Sequence, residues 1–265
     1  MNLEGALHIH SSFSYDAKLS LTELRALGLR SGLQFMCLTE HDVDMTDEKA
    51  ARFIQECYAL SDKQFVLIPG FEITYKDSHT LMIGVKTISF TYEPLEILAR
   101  GKEQGAWIVL AHPHRNHFVV DEAHEKLLDG VEVWNGQYDG KRYPRFRAMR
   151  YAKKMRARHL SILMCAGLDL HRDSHIGGPH VFLRVKRFHQ ERILRALKDG
   201  HYYNQGMRAS FSSHSNPQIW EGLPFIIGNI FFGGTLTALK WLSGVLSSYH
   251  IPVPKRLKEL IRRFF

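Results

Sequence analysis

Cysteine is scarce in this chain: there are 3 in 265 residues, Cys37, Cys57 and Cys165. They are far apart, form no CxxC pair and each lies in an apolar run. That pattern excludes a disulfide framework and a thiolate zinc site. Three reduced core thiols in a reducing compartment are expected instead. No internal repeat and no low-complexity tract occurs. The opening residues, MNLEGALHIH, have neither a basic n-region nor a long apolar h-region, so no secretory leader is expected and the location read from the sequence is cytoplasmic. Acid is missing from residues 141–158, which carry nine Lys or Arg and no Asp or Glu. Charge of either sign is missing from residues 222–239, a run of 18, after which the chain reads on to KRLKELIRRFF.

What is present describes a globular protein. Hydrophobic residues make up 45% and charged residues 23%, which excludes disorder over most of the length. The length suits one α/β barrel, or one domain with a small extension. A net charge of +8 favours anionic partners, although surplus surface Lys and Arg would give the same figure. There are 16 His against 4 Trp. Histidine is the commonest metal ligand and a general acid or base, so where the histidines fall decides what they mean.

Short apolar segments alternate with amphipathic ones. Strands are expected at 6–10, 35–39, 65–69, 80–85, 107–111, 130–134 and 161–166. A first helix begins at Ser20, with Glu23 completing a capping box. Thr46 caps a helix over 47–60, and further helices are expected at 94–103, 122–128, 144–158 and 190–198. Alternation of this kind predicts a mainly parallel sheet, open or closed into a barrel. His8 and His10, Glu40, His41 and Asp42, Glu72, His112 and His114, Glu132 and Asn135, and Asp169 and His171 all fall at the C-terminal ends of these strands. That is the end of a parallel barrel that carries active sites.

Each motif alone is weak. His8 and His10, two apart on a strand, point to one side and can share an ion, but a lone HxH is more often incidental. Asp16 alone would pass for a turn residue ahead of the first helix. Glu40, His41 and Asp42 follow an apolar strand and need partners or water if buried. The segment around Tyr75 and Lys76 reads as a hairpin; a turn centred between those two would set Glu72 opposite His79, which elsewhere would be an ordinary surface pair. His112 suits metal ligation, His114 and Arg115 suit phosphate oxygens, and Asp169 and His171 repeat the two-residue spacing.

Taken in order, H-x-H, Ser-x-Asp, Glu-His-Asp, Pro-Gly-x-Glu, a hairpin His, Ala-His-Pro-His and Gly-x-Asp-x-His resemble the PHP (polymerase and histidinol phosphatase) family over roughly residues 5–185. The resemblance implies a distorted (β/α)7 TIM-like barrel, domain 1–212, followed by a C-terminal hydrophobic and basic extension, 213–265. It implies two or three divalent ions, Mn, Fe or Zn. The first would be held by His8, His10, Glu72 and Asp169, the second by Asp16, His41 and His171, the third by Glu72, His79 and His112, with Glu72 bridging. Two motifs depart from the family's usual pattern, with Glu40 where it often has Asp and with Leu168 and Leu170 around Asp169, and neither change removes a ligand. The implied activity is hydrolysis of a phosphoester by a water that the ions activate, on a small phosphorylated metabolite or nucleotide. His114 and Arg115 would offset transition-state charge, and His175 would serve as a proton donor or as an ordinary loop histidine. Asp42, Glu132 and Asn135 would support the ligands.

Rival readings are a nuclease of the same family, favoured by the basic segment 141–158, and a non-catalytic scaffold stabilised by its metals. The basic segment is a solvated helix face, a nucleic-acid contact or an anionic-lipid contact. The uncharged run 222–239 is a membrane span, a membrane-surface or partner-binding segment, or a piece packed on the chain's own domain.

Overall fold

The computed structural model describes residues 1–158 and 162–215. In chain order the elements are β1 (Asn2–Ile9), α1 (Leu21–Arg30), β2 (Phe35–Leu38), β3 (Glu40–His41), α2 (Asp47–Ala59), β4 (Val66–Ile68), β5 (Gly70–Tyr75) and β6 (Ser78–Ile83). They continue with α3 (Pro94–Glu103), β7 (Trp107–Leu110), α4 (Glu122–Glu125), β8 (Gly130–Asn135), α5 (Phe146–Arg158), β9 (Leu163–Gly167), β10 (His180–Arg184), α6 (Gln190–Lys198), β11 (Tyr202–Gln205) and β12 (Ser210–Ser212). The uncharged run 222–239, the basic tail and nearly all of the expected extension 213–265 lie outside the described residues. Among the described residues no helix is long and apolar enough to cross a membrane.

Local chemistry explains the helix starts. The Ser20 hydroxyl accepts the Glu23 N–H at 3.3 Å, and the Glu23 carboxylate accepts the Ser20 N–H at 2.8 Å, so two N–H groups that the helix cannot satisfy are satisfied by the capping box. Thr46 caps α2 with a single bond, its hydroxyl accepting the Lys49 N–H at 3.2 Å. Helix α4 stops at Glu125, short of the expected 122–128. The chain turns there so that Asp129 can accept the Ile108 N–H and the Lys102 ammonium.

The strands form two six-stranded sheets, ordered β12-β11-β10-β1-β2-β4 and β3-β5-β6-β7-β8-β9. The expected mainly parallel sheet is corrected to a mixed one. β1-β2-β4, β3-β5 and β7-β8-β9 are parallel, whereas β5-β6-β7 and β1-β10-β11-β12 are antiparallel. Connection length explains one of these reversals. A tight turn at Lys76 and Asp77 reverses the chain between β5 and β6, and no crossover helix intervenes. Strands β10 and β11 alternate buried and more exposed residues, as an antiparallel sheet with one wet face does.

The two sheets meet where strands run from one into the other: β2 leads into β3 across Thr39, and β4 into β5 across Pro69. On the other side, Ile9 pairs with Leu170 in a parallel bridge. The Leu168 N–H donates to the Leu7 carbonyl at 2.8 Å and the His10 N–H to the Leu170 carbonyl at 2.9 Å. One apolar cluster lies under helices α1, α2, α3 and α5. A second, built from Leu3, Leu7, Phe35, Val66, Trp107 and Leu163, is joined by Ile193 and Leu197 of α6. All three cysteines are free and buried in these clusters, and burial pushes each thiol up from its ordinary value.

Candidate metal centre

His8 and His10 reach one site, though not by plain strand alternation. The β1–β2 register shifts between Ala6 and Ile9, and His8 takes a left-handed backbone conformation at φ 61. Leu7 packs in the cluster closed by α6 and Ile9 in the cluster under the helices, so the irregularity turns His8 toward the polar side with His10. Their ring centroids are 5.2 Å apart. Asp169 (φ 52) and His112 (φ 24) are left-handed too. Such geometry is disfavoured for residues with a side chain, and clusters of it occur at functional sites.

Glu72, 1% exposed, is the hub. Its Oε1 lies 2.9 Å from His79 Nδ1, 3.0 Å from His112 Nε2 and 3.5 Å from His8 Nε2. Its Oε2 lies 3.0 Å from His41 Nδ1 and 3.5 Å from His10 Nε2. Asp169 Oδ1 stands 3.5 Å from His8 Nε2 and 3.6 Å from His10 Nε2. Asp16 Oδ2 stands 3.3 Å from the Nε2 atoms of both His41 and His171. The His41 and His171 rings both stack on His10, at 4.2 and 4.3 Å, with 5.8 Å between their own centroids. All of the sequence-predicted ligands, His8, His10, Asp16, His41, Glu72, His79, His112, Asp169 and His171, are thus brought together.

The hairpin register differs from expectation. Glu72 faces Leu81, and His79 faces Thr74, because the turn is centred one residue later, with Lys76 left-handed at φ 52. A shift of two in pairing keeps the same face, so His79 still reaches Glu72, diagonally.

Hydrogen bonds hold three of these rings from outside the centre. Glu132 Oε1 accepts from His8 Nδ1 at 2.8 Å. The His171 Nδ1–H donates to the Asp169 carbonyl at 2.9 Å. The Ser14 hydroxyl gives its proton to Glu40 at 2.6 Å, so His10 Nδ1, 3.3 Å away, is the donor in their contact. Each Nδ1 is thus engaged outside the centre, which leaves the Nε2 atoms facing it. Buried without any hydrogen-bond partner are the Nε2 atoms of His8, His10 and His41. Burial opposes charge on all of these groups. It wins at His10, which is held well below the ordinary imidazole value. At His8 the burial cost is overcome by Glu132, Asp169 and Glu72, and the ring is raised. At Glu72 it is overcome by His8 and by hydrogen bonds from His112, His41 and His79, which hold the carboxyl well below its usual range.

Four sets of donors lie close enough to share a cation: His8, His10 and Glu72; His8, His112 and Asp169; His10, His41 and His171; and Glu72, His79 and His112. Imidazole nitrogen with carboxylate oxygen suits Mn, Fe and Zn. The orphaned imidazole nitrogens beside carboxylates fit such ions.

Around this core, Glu132 also accepts the His112 N–H at 2.8 Å and the Asn135 amide at 2.9 Å, and that amide reaches Asp169 at 3.3 Å. Gly167 makes this possible, since a Cβ there would fall 2.0 Å from Glu132 Oε1 and 2.7 Å from the His8 Cβ. Asp42 touches no ligand side chain. It accepts the Thr74 N–H at 2.7 Å and the Thr74 hydroxyl at 2.9 Å, tying the end of β3 to β5. His114 packs edge-on against Tyr138 at 4.8 Å, and burial lowers its value to about 4. Arg115 is exposed in a cleft with Lys76, His79 and His117. His175 accepts the His171 N–H at 3.2 Å, and burial lowers it to about 4. Sequence reasoning missed two participants. Ser14, which links Glu40, His10 and the His41 N–H, was visible only as part of Ser-x-Asp. Tyr138, whose ring meets His112, His114 and the Arg115 guanidinium, carried no signal at all.

This fold has relatives among solved structures. A two-domain protein from Bacteroides vulgatus, containing a predicted PHP-like metal-dependent phosphoesterase, superposes with TM-score 0.61 at 20% identity, covering 78% of this chain and 65% of that one. The lesion-specific endonuclease PfuEndoQ from Pyrococcus furiosus gives 0.52 at 18% identity, covering 78% of this chain and 59% of that one. Endonuclease Q bound to a 27-mer duplex with an abasic lesion at its active site gives 0.55 at 16% identity, covering 85% and 67%. These likenesses describe the fold, and the chain spans under two thirds of the first two proteins. No curated protein matches it. The PHP domain family matches residues 6–218, and since that is most of its length, the chain belongs to the PHP domain family.

Proposed function

We propose that the protein hydrolyses a phosphoester at a centre of two or three divalent ions. His8, His10, Glu72 and Asp169 would hold one; Asp16, His41 and His171 a second; Glu72, His79 and His112 a third. The observation that carries this is the set of three buried Nε2 atoms without partners, each with its Nδ1 engaged and each beside a carboxylate. A buried polar atom without a partner is costly, and a cation removes that cost. Bound ions would supply Lewis acidity and activate water near neutral pH.

The chain's own groups do the rest. Glu132 fixes the His8 ring, and Ser14 with Glu40 fixes His10. Arg115, in the cleft beside His79, presents donors to phosphate oxygens. His114 and His175 are neutral at pH 7, since burial holds both at about 4; each can donate one N–H but brings no charge. The strands that connect the two sheets are read as a distorted seven-stranded barrel. Candidate substrates are small phosphorylated metabolites and nucleotides. A nuclease is the second reading, favoured by the cationic groove described below.

The test is metal content measured on the same sample that is assayed with p-nitrophenyl phosphate and bis-p-nitrophenyl phosphate. Two or three ions per chain with turnover of either ester is the expected result. A chain that takes up no Mn, Fe or Zn on reconstitution would sink the proposal.

A further inference from the structure

Helix α5 buries Ala148, Met149, Ala152 and Met155. At the spacing i, i+3, i+7, Arg147, Arg150 and Lys154 line its exposed side. Among the described residues no carboxylate pairs with any of the three; the helix's one such ion pair beyond them is Arg158 with Glu125, at 3.1 Å. A groove of about 520 Å³ runs between this stripe and the His117–Phe118 loop. Its floor is aromatic: the Phe118 ring takes the Arg147 guanidinium at 4.6 Å and the Tyr151 ring at 5.5 Å. His117 also lines the cleft that contains Lys76, His79 and Arg115. The two clefts therefore share a wall at His117, with Arg115 beside it; Lys76 is paired with Asp121 at 2.7 Å, and Asp77 also lines the cleft.

We infer that this groove binds a single-stranded nucleic acid whose scissile phosphodiester lies at the cluster. The inference rests on the phosphoesterase reading and names its substrate class. Phosphates along the strand meet Arg147, Arg150 and Lys154, and unstacked bases meet Phe118 and Tyr151, the combination of charge and ring faces that single strands require. A duplex keeps its bases stacked and offers nothing to the rings. A membrane surface fits less well, because interfacial helices insert an apolar face, and that face of α5 is covered by the protein itself.

The test is fluorescence anisotropy with a fluorescein-labelled oligothymidylate of about 12 nucleotides, in EDTA so that no cleavage occurs. Arg150→Ala with Lys154→Ala should weaken binding about tenfold and reduce the slope of log affinity against log salt by about 1.4, at ~0.7 per lost phosphate contact. The charge-keeping swap, Arg150→Lys with Lys154→Arg, should bind like the native chain. Unchanged affinity and slope in the alanine pair would overturn the inference. So would a loss confined to phosphatidylserine vesicles. The small-ester assay of the native protein is separate: if it fails while the oligonucleotide result stands, the catalytic reading falls and the groove remains.

Discussion

The same strands carry opposite chemistry at their two ends. β1 has Leu3 near its start and His8 near its end; β2 has Phe35 and Cys37, and its continuation β3 has Glu40 and His41. β4 has Val66 and Ile68 where β5 has Glu72; β7 has Trp107 and Val109 before His112; β9 has Leu163 and Cys165 before Asp169. One end removes apolar surface from water, which is the main favourable contribution to folding. At the other, histidines and carboxylates are buried with imidazole nitrogens unpartnered, which opposes folding. Stability and chemistry rest on different residues of the same stretches of chain, and substitutions should separate them as well.

The largest effect is expected at the apolar end. Trp107 is fully buried, and Trp107→Ala should cost about 3–5 kcal/mol in urea unfolding, while the ions bound per folded chain stay the same. A drop in metal content at unchanged stability would erase the distinction between the ends.

His124 sharpens the comparison from outside both ends. It is buried like the cluster histidines, but its Nε2 meets the Thr80 hydroxyl at 2.7 Å and no carboxylate shares it. Burial lowers it to about 4. A lowered imidazole value means that the unfolded chain takes up the proton first as pH falls. The stability tied to His124 is therefore complete above pH ~6.5 and is lost towards pH ~4, by up to about 3 kcal/mol at 1.36 kcal/mol per unit. His124→Gln should flatten urea-measured stability over that window in metal-free protein. An unaltered pH profile would assign the titration elsewhere.

The smallest of these effects belongs to the contact that supports the polar end. Glu132→Gln weakens the acceptor for His8 Nδ1–H and should lower metal affinity about 10- to 100-fold, read by competition with a chelator, with little change in unfolding of the metal-free chain.

Much of this was legible in the order of residues. Helices α3 and α6 match their expected bounds because Pro94 starts one and Gly200 follows the other, and both have clean apolar stripes. His8, Glu72 and Asp169 were readable as a group because polar residues kept recurring where apolar strands end. Four things were not readable. The β1 irregularity at His8 depends on tertiary pairing with β2, and an H-x-H pattern looks the same with or without it. The hairpin register turned on whether Lys76 would accept a left-handed conformation, a choice local propensity does not decide. Strands β10 to β12 are short and partly polar, so no apolar run announced them. Ser14 and Tyr138 act through distances that appear only after the chain has folded.

The contact between β1 and β9 also has a consequence for how the protein is made. Its candidate ligands run from His8 to His171, and Leu170 bridges to Ile9. A ribosome must release nearly all of the described domain before the last donors appear. Until then the earlier histidines and carboxylates emerge as an incomplete set, open to any ion in the surroundings. The candidate donor set is therefore complete only once the segment after β9 has paired with β1 and the backbone around His8 is locked.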